Sequence, residues 1–173
     1  MSPRGVALFP GAGSSSDHPA LIAIERALHP LPTGRFDFPY RKAGKKFPDK
    51  TEVLVSCVVE EVSSLARAIG CATSDIVIGG RSMGGRMCSI AIAEGLQVAG
   101  LVCIGYPLHP PKKPEQLRTA HLPQVGVPSF VRERNQGRVR HARRTAPRVA
   151  RDAHCSADRV HRRWPTRTEG QGR

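Results

Sequence analysis

Residues 76–93 read Ile-Val-Ile-Gly-Gly-Arg-Ser-Met-Gly-Gly-Arg-Met-Cys-Ser-Ile-Ala-Ile-Ala. The opening Ile76-Val77-Ile78 is short, apolar and β-branched, as a buried parallel strand requires. Arg86 to Ala93 has helical spacing. Between them Gly80-x-Ser82-x-Gly84 forms a G-x-S-x-G pattern with a strand before it and a helix after it. Such a turn is tight enough to hold the serine at a strained backbone angle, so the residues two away on either side must lack a Cβ. It also aims the Met83 amide, at a helix N-terminus, toward any oxyanion formed when the Ser82 hydroxyl attacks an acyl group. The bland alternative is a glycine-rich turn with an incidental serine.

Outward from this turn, the chain alternates strands and helices. Gly5 to Phe9 reads as a strand and Pro10 to Ser16 as the loop after it. Asp17 is the expected N-cap of a helix through Leu28. Arg35 to Tyr40 is expected as a second strand broken by Pro39. A basic loop, Arg41 to Lys46, follows; it reads as a solvated loop or as a surface that steers acidic partners. Lys50 to Ile69 is a long amphipathic helix closed by Gly70. Val98 to Gly105 is another apolar strand, followed by a proline-stiffened loop from Tyr106 to Pro114. Leu117 to Leu122 reads as a turn of helix, and Val125 begins a last strand.

This order predicts an α/β fold with a parallel sheet and helices on both faces. Ligands in such sheets collect at the C-terminal ends of the strands, where the Gly11 loop, Asp37, Ser82 and the Tyr106–His109 loop all fall. The first loop lacks the Gly-Lys-Ser/Thr ending of a phosphate loop. Beside a G-x-S-x-G it reads as the second half of an oxyanion hole, donated near Ala12.

The chain has 173 residues and a formal net charge of +13, and that charge is unevenly spread. Residues 1–130 hold 14 Lys and Arg against 10 Asp and Glu, whereas residues 131–173 hold 13 Arg, no Lys and 4 acids. The expected organisation is therefore a folded α/β domain over 1–130 and an Arg-rich tail over 131–173. Five cysteines without paired spacing argue against zinc or a disulfide framework. No apolar run approaches the roughly 18 residues of a membrane span, and no signal peptide opens the chain. A cytoplasmic protein without metal, cofactor or membrane partner is expected.

Four segments occur in order: Leu8-Phe9-Pro10-Gly11-Ala12-Gly13, Phe36-Asp37-Phe38-Pro39-Tyr40-Arg41, Gly79 to Arg86, and Gly105-Tyr106-Pro107-Leu108-His109-Pro110-Pro111. Together they resemble one branch of the α/β-hydrolase superfamily, related to the dienelactone hydrolases. That branch includes the testis-expressed hydrolase-like protein and a regulatory subunit of the NSL acetyltransferase complex. The resemblance covers about residues 5–129. It implies a serine hydrolase acting on a small ester, lactone or other acyl substrate. Ser82 would be the nucleophile, and the amides of Met83 and Ala12 would hold the oxyanion. Gly11, Gly13, Asp37, Arg81, Tyr106 and His109 would line the substrate site.

Two departures from the family pattern stand out. The chain begins at what resembles the family's third strand. The family's acid, in a Gly-x-Arg-Asp segment, and its later histidine have no counterpart after Val131, so a truncated and impaired hydrolase is expected.

Residues 131–173 contain only Val131, Val139, Val149, Val160 and Trp164 among the larger apolar types. A segment so poor in apolar surface is expected to be disordered. If genuine, it is a basic arm suited to nucleic acid, and the chain would be a non-catalytic binding protein.

Thirteen arginines without a lysine are, however, what GC-rich coding DNA yields in a wrong frame. Phe130 to Thr145 can be encoded so that reading one base later gives Ser-Cys-Gly-Ser-Glu-Thr-Arg-Asp-Ala-Phe-Gly-Thr-Pro-Asp-Glu. The missing Arg-Asp-x-Phe-Gly then appears where the family has it, and a similar shift near Trp164 can supply a late histidine. Among the present histidines, His18 is expected to cap or line the first loop and His109 to sit beside the site. His141, His154 and His161 lie in the shifted stretch.

Overall fold

The computed structural model describes residues 2–133. The expectations for residues 134–173 fall outside the described residues. Strand β1 (Gly5–Phe9) sits between β2 (Thr33–Arg35) and β3 (Ile76–Arg81), and the sheet continues through β4 (Gly100–Tyr106) to β5 (Ser129–Glu133). Every pairing is parallel, in the order β2-β1-β3-β4-β5. The chain thus leaves β1 on one side for β2 and crosses to the other for β3. The crevice where the connections diverge opens between the C-terminal ends of β1 and β3.

Alternation along β1 decides which helix covers which face. Val6 and Leu8 pack with Leu21, Ile24 and Leu28 of α1 (Pro19–Leu28). Ala7 and Phe9 point the other way, into the main core. There they meet Leu54, Val58 and Val62 of α3 (Thr51–Ala68) and Met87, Cys88 and Ala91 of α4 (Met83–Ala93). Helices therefore lie on both faces.

Several boundaries differ from the sequence reading. Helix α1 is capped by His18, whose Nδ1 accepts the Ala20 amide at 3.1 Å. Asp17 instead meets the Arg35 guanidinium at 3.0 Å.

The expected strand 35–40 is β2 followed by an extended segment. Only the Phe36 amide continues the pairing, donating to Leu8 O at 3.0 Å. Pro39 then opens the short helix α2 (Pro39–Lys42), because its fixed φ suits the first helical position and it has no N–H for a sheet ladder. Of the alternating aromatics that suggested a strand, Phe38 and Tyr40 are buried all the same and Phe36 is partly so. Phe38 packs at a tilt against Phe9 and stacks on Tyr40, with ring centroids 5.6 and 6.4 Å apart.

The last strand starts at Ser129, after Pro128, and its pairing with β4 reaches Glu133. The expected boundary at residue 130 therefore falls inside β5. The helical turn expected over Leu117–Leu122 appears as a 3-10 turn at Leu122–Gln124.

Candidate active site

Ser82 stands between β3 and α4 with φ 52° and ψ −112°. That conformation is open to few non-glycine residues and costs on the order of 1–3 kcal/mol. The surroundings impose it. The Ser82 amide donates to Ile104 O on β4 at 2.9 Å, and the Ser82 carbonyl receives the first helical bond of α4, from the Arg86 amide at 3.2 Å.

The flanking glycines are required for space. A Cβ at Gly80 or at Gly84 would collide with the Phe9 carbonyl of the neighbouring strand, and one at Gly84 would also stand 2.6 Å from Pro10 O. The backbone of α4 thus lies directly on the end of β1, which brings the first loop to the serine. A methyl group at Gly11 would be 3.5 Å from the Ser82 Cβ.

The first loop is held from three sides. Tyr40 donates its hydroxyl to Ala12 O at 2.7 Å, from a ring fully buried in the core. Burial pushes the Tyr40 phenol above its ordinary pKa, so it remains a donor. Ser14 Oγ receives the Gly11 amide at 3.1 Å. Ser16 donates to Asp37 through both its amide and its hydroxyl, and the Arg35 guanidinium donates to the Ser16 carbonyl. Among the described residues, the amides of Ala12 and Met83 have no acceptor, and the Ser82 hydroxyl has no hydrogen-bond partner.

The other residues expected at the site fall as follows. Gly11 is buried against the Ser82 turn, while Gly13 is exposed with nothing within 4 Å of its open side. Both carboxylate oxygens of Asp37 are taken up by Ser16. Arg81 ends β3 and is half-buried. The Tyr106 hydroxyl points to Arg118 O at 2.9 Å. His109 is exposed, and its Nδ1 donates to the carbonyl of Pro110 at 2.9 Å. No hydrogen bond among the described residues joins Ser82 to a histidine or a carboxylate, and none of their His, Cys, Asp and Glu side chains group as a metal site would.

One cluster had no signal in the pattern of the sequence. His121 Nε2 lies 2.8 Å from Ser89 Oγ and 3.3 Å from the Tyr106 hydroxyl. Both hydroxyls already donate to carbonyls, Ser89 to Arg86 O and Tyr106 to Arg118 O. His121 must therefore carry its proton on Nε2 and donate. Ser89 is two helical turns beyond Ser82, about 10 Å along the axis, which puts His121 out of reach as a base for Ser82. The pairing spans 32 residues, a separation no local periodicity encodes.

An all-parallel sheet with a strained serine at its topological switch point defines an α/β-hydrolase fold. The alpha/beta hydrolase domain family matches residues 4–147. The chain belongs to that family.

One solved structure shares the fold at low identity, and others are similar over part of their length. YahD, solved with malic acid, is 16% identical with a TM-score of 0.53, over 78% of this chain and 85% of that one. DcsB, in complex with its substrate analogue, is 19% identical with a TM-score of 0.47, over 66% of this chain and 41% of that one. A bacterial heroin esterase is 18% identical with a TM-score of 0.45, over 78% and 43%. The chain thus spans less than half the length of the latter two. No helix among the described residues is long and apolar enough to cross a membrane.

Proposed function

We propose that the protein is a serine-hydrolase-like member of its family, of the branch related to dienelactone hydrolases, with Ser82 as the nucleophile toward a small ester or other acyl group. The observation that carries this reading is the strained Ser82 backbone, with the Gly11 loop packed against it. Attack by Ser82 Oγ on an acyl carbon would place negative charge on the former carbonyl oxygen. The amides of Met83 and Ala12, without acceptors among the described residues, are the donors available for it. Tyr40 and Asp37 hold the loop that presents Ala12 and act as positioning residues.

Turnover is expected to be slow. A serine is activated by a histidine that an acid orients. The family's counterparts of both are missing from the sequence as it reads. We infer a slip of reading frame as the cause. The strand pairing through Glu133 favours a slip that follows β5.

The test is to incubate the full chain with excess para-nitrophenyl acetate and look for an acetyl group on Ser82 by mass spectrometry. The adduct should form slowly and vanish in Ser82→Ala. Acetylation spread over lysines, with Ser82 unmodified, would remove the nucleophile reading.

The second reading, a nucleic-acid-binding protein, is favoured by one observation, the 13 arginines of residues 131–173. It predicts nucleic-acid affinity that falls steeply with salt and is lost when 134–173 are deleted.

A further inference from the structure

Residues 41–50 hold five Lys and Arg against one acid. Residues 107–118, the loop that leaves the C-terminal end of β4, hold three against one. The rest of residues 1–130 holds six Lys and Arg and eight Asp and Glu. The excess positive charge of this part of the chain is thus confined to two loops, and the remainder is mildly acidic. The same two loops contain the most exposed large apolar side chains among the described residues, Phe47 at 84% and Leu117 at 64%.

The 41–50 loop stands at the serine's end of the sheet. Arg4, just before β1, donates to the carbonyl of Gly70, just past α3, at 3.1 Å, so α3 ends beside the N-terminal end of β1. The 18 residues of α3 span about 27 Å, against about 17 Å for the five of β1. Thr51 and the loop before it therefore lie past the C-terminal end of β1, where the Gly11 loop meets Ser82. The loop is tied to that end by the Lys45 amide, which donates to Tyr40 O at 2.8 Å. Tyr40 in turn donates its hydroxyl to Ala12 O.

Residues 42–48 are all exposed. Lys42 is taken up by Glu61 at 2.6 Å and Lys45 lies 3.9 Å from Asp49, while Lys46 and Lys50 meet no acid among the described residues. A merely solvated loop gains nothing from a phenyl ring held in water between lysines. An anionic bilayer surface satisfies both features, since the ring enters the interface while the ammonium groups meet the headgroup charges. Nucleic acid fits less well, because four of the five cations are Lys, which lack the bidentate grip of Arg on phosphate. We propose that the 41–50 loop docks the protein on anionic lipid surfaces, with Phe47 inserted at headgroup level and the Ser82 end turned toward the lipid. The expectation of no membrane partner rested on spanning segments, and surface docking needs none.

The test uses the full chain with Trp164→Phe, which removes its one tryptophan, and Phe47→Trp as the reporter. Vesicles of mixed phosphatidylcholine and phosphatidylserine should shift the reporter's emission to the blue, and brominated acyl chains should quench it. Phosphatidylcholine alone should do neither at the same lipid concentration. In the otherwise unaltered chain, Phe47→Ala should weaken sedimentation with the anionic vesicles by about tenfold. Lys45→Gln combined with Lys46→Gln should weaken it by about tenfold or more. All three side chains are exposed, so the fold should be unaffected. Ser82→Ala should leave the binding unchanged, because docking does not depend on the nucleophile.

Vesicle binding that leaves the reporter's emission that of a residue in water is contact through the arginine-rich residues 131–173 alone, and overturns the loop as the docking site. Absence of binding, or binding indifferent to the Phe47 and lysine substitutions, overturns it as well. A reporter that responds to single-stranded RNA and not to anionic vesicles overturns the lipid surface in favour of nucleic acid.

Discussion

Asp37 holds Ser16 at two points, accepting from the amide at 2.7 Å and from the hydroxyl at 2.9 Å. The residues are 21 apart in sequence, and their contact ties the end of the extended aromatic segment to the loop that runs past Ser82. Hydrogen bonds to a charged acceptor are worth about 1.5–3 kcal/mol when the alternative is an unsatisfied group. Asp37→Ala is expected to cost about 2–3 kcal/mol of stability, and Asp37→Asn about half of that, since the amide oxygen still accepts one bond. Hydrogen exchange should show the loop amides of residues 11–16 opening faster in both variants while those of α3 are unchanged. A stable Asp37→Ala with a protected loop would mean that Tyr40 and Arg35 suffice.

The glycines of the serine turn are tested by a matched pair. Gly84→Ala places a methyl group into the Phe9 carbonyl, a backbone atom at the end of β1 that the sheet pairing holds in place. The expected destabilisation is about 2–3 kcal/mol by denaturant titration, in the range for overpacking. Gly13→Ala, in the same site but open to solvent, should stay within about 0.5 kcal/mol of the parent. Equal effects at the two positions would contradict the packing of α4 against β1.

The contrast between these glycines shows what was legible in the chain. Gly80 and Gly84 mark the Ser82 turn because close backbone approach leaves a compositional trace, and the β-branched run before them marks a buried strand. The sheet and its two helical layers follow from that alternation. The segment 35–40 misled, because alternating Phe36, Phe38 and Tyr40 satisfy a strand's period equally well when the chain is extended but unpaired. Asp17 looked like a cap, yet it serves Arg35, a tertiary partner no local rule can name. The His121, Ser89 and Tyr106 cluster was invisible for the same reason.

His121 gives the fold a pH dependence whose sign is set by its surroundings. Desolvation and the Arg86 charge lower its pKa from the ordinary 6.5. The folded chain therefore binds this proton less readily than the unfolded chain, and stability is lost as pH falls through 6.5 and below. His121→Gln keeps a donor for Ser89 but removes the titration. Melting temperatures measured about one pH unit either side of 6.5 should differ less in His121→Gln than in the parent. An unchanged difference would place the acid sensitivity elsewhere.

The coding DNA offers the most direct test of why the triad is incomplete. Strand β5 keeps its pairing through Glu133, so the frame through that residue yields a strand that belongs in the sheet. Beyond it, Asn135-Gln136-Gly137-Arg138-Val139-Arg140-His141 can be written AAC CAG GGA CGC GTT CGG CAC. Read one base later, with the next codon GCC, this gives Thr-Arg-Asp-Ala-Phe-Gly-Thr. We infer one extra base near Arg134 and Asn135, which would displace an acid-bearing loop that should leave the C-terminal end of β5. Strand ends of that kind gather beside Ser82, where an acid is needed. Deleting the base should restore the Arg-Asp loop, a late histidine and hydrolysis of para-nitrophenyl acetate. That hydrolysis should fall by orders of magnitude on Ser82→Ala, because triad members act as a unit. In the present chain the same substitution should hardly change turnover. Codons for residues 135–141 whose shifted reading lacks Arg-Asp would end the frame-slip idea and leave the arginine-rich stretch as a genuine basic arm.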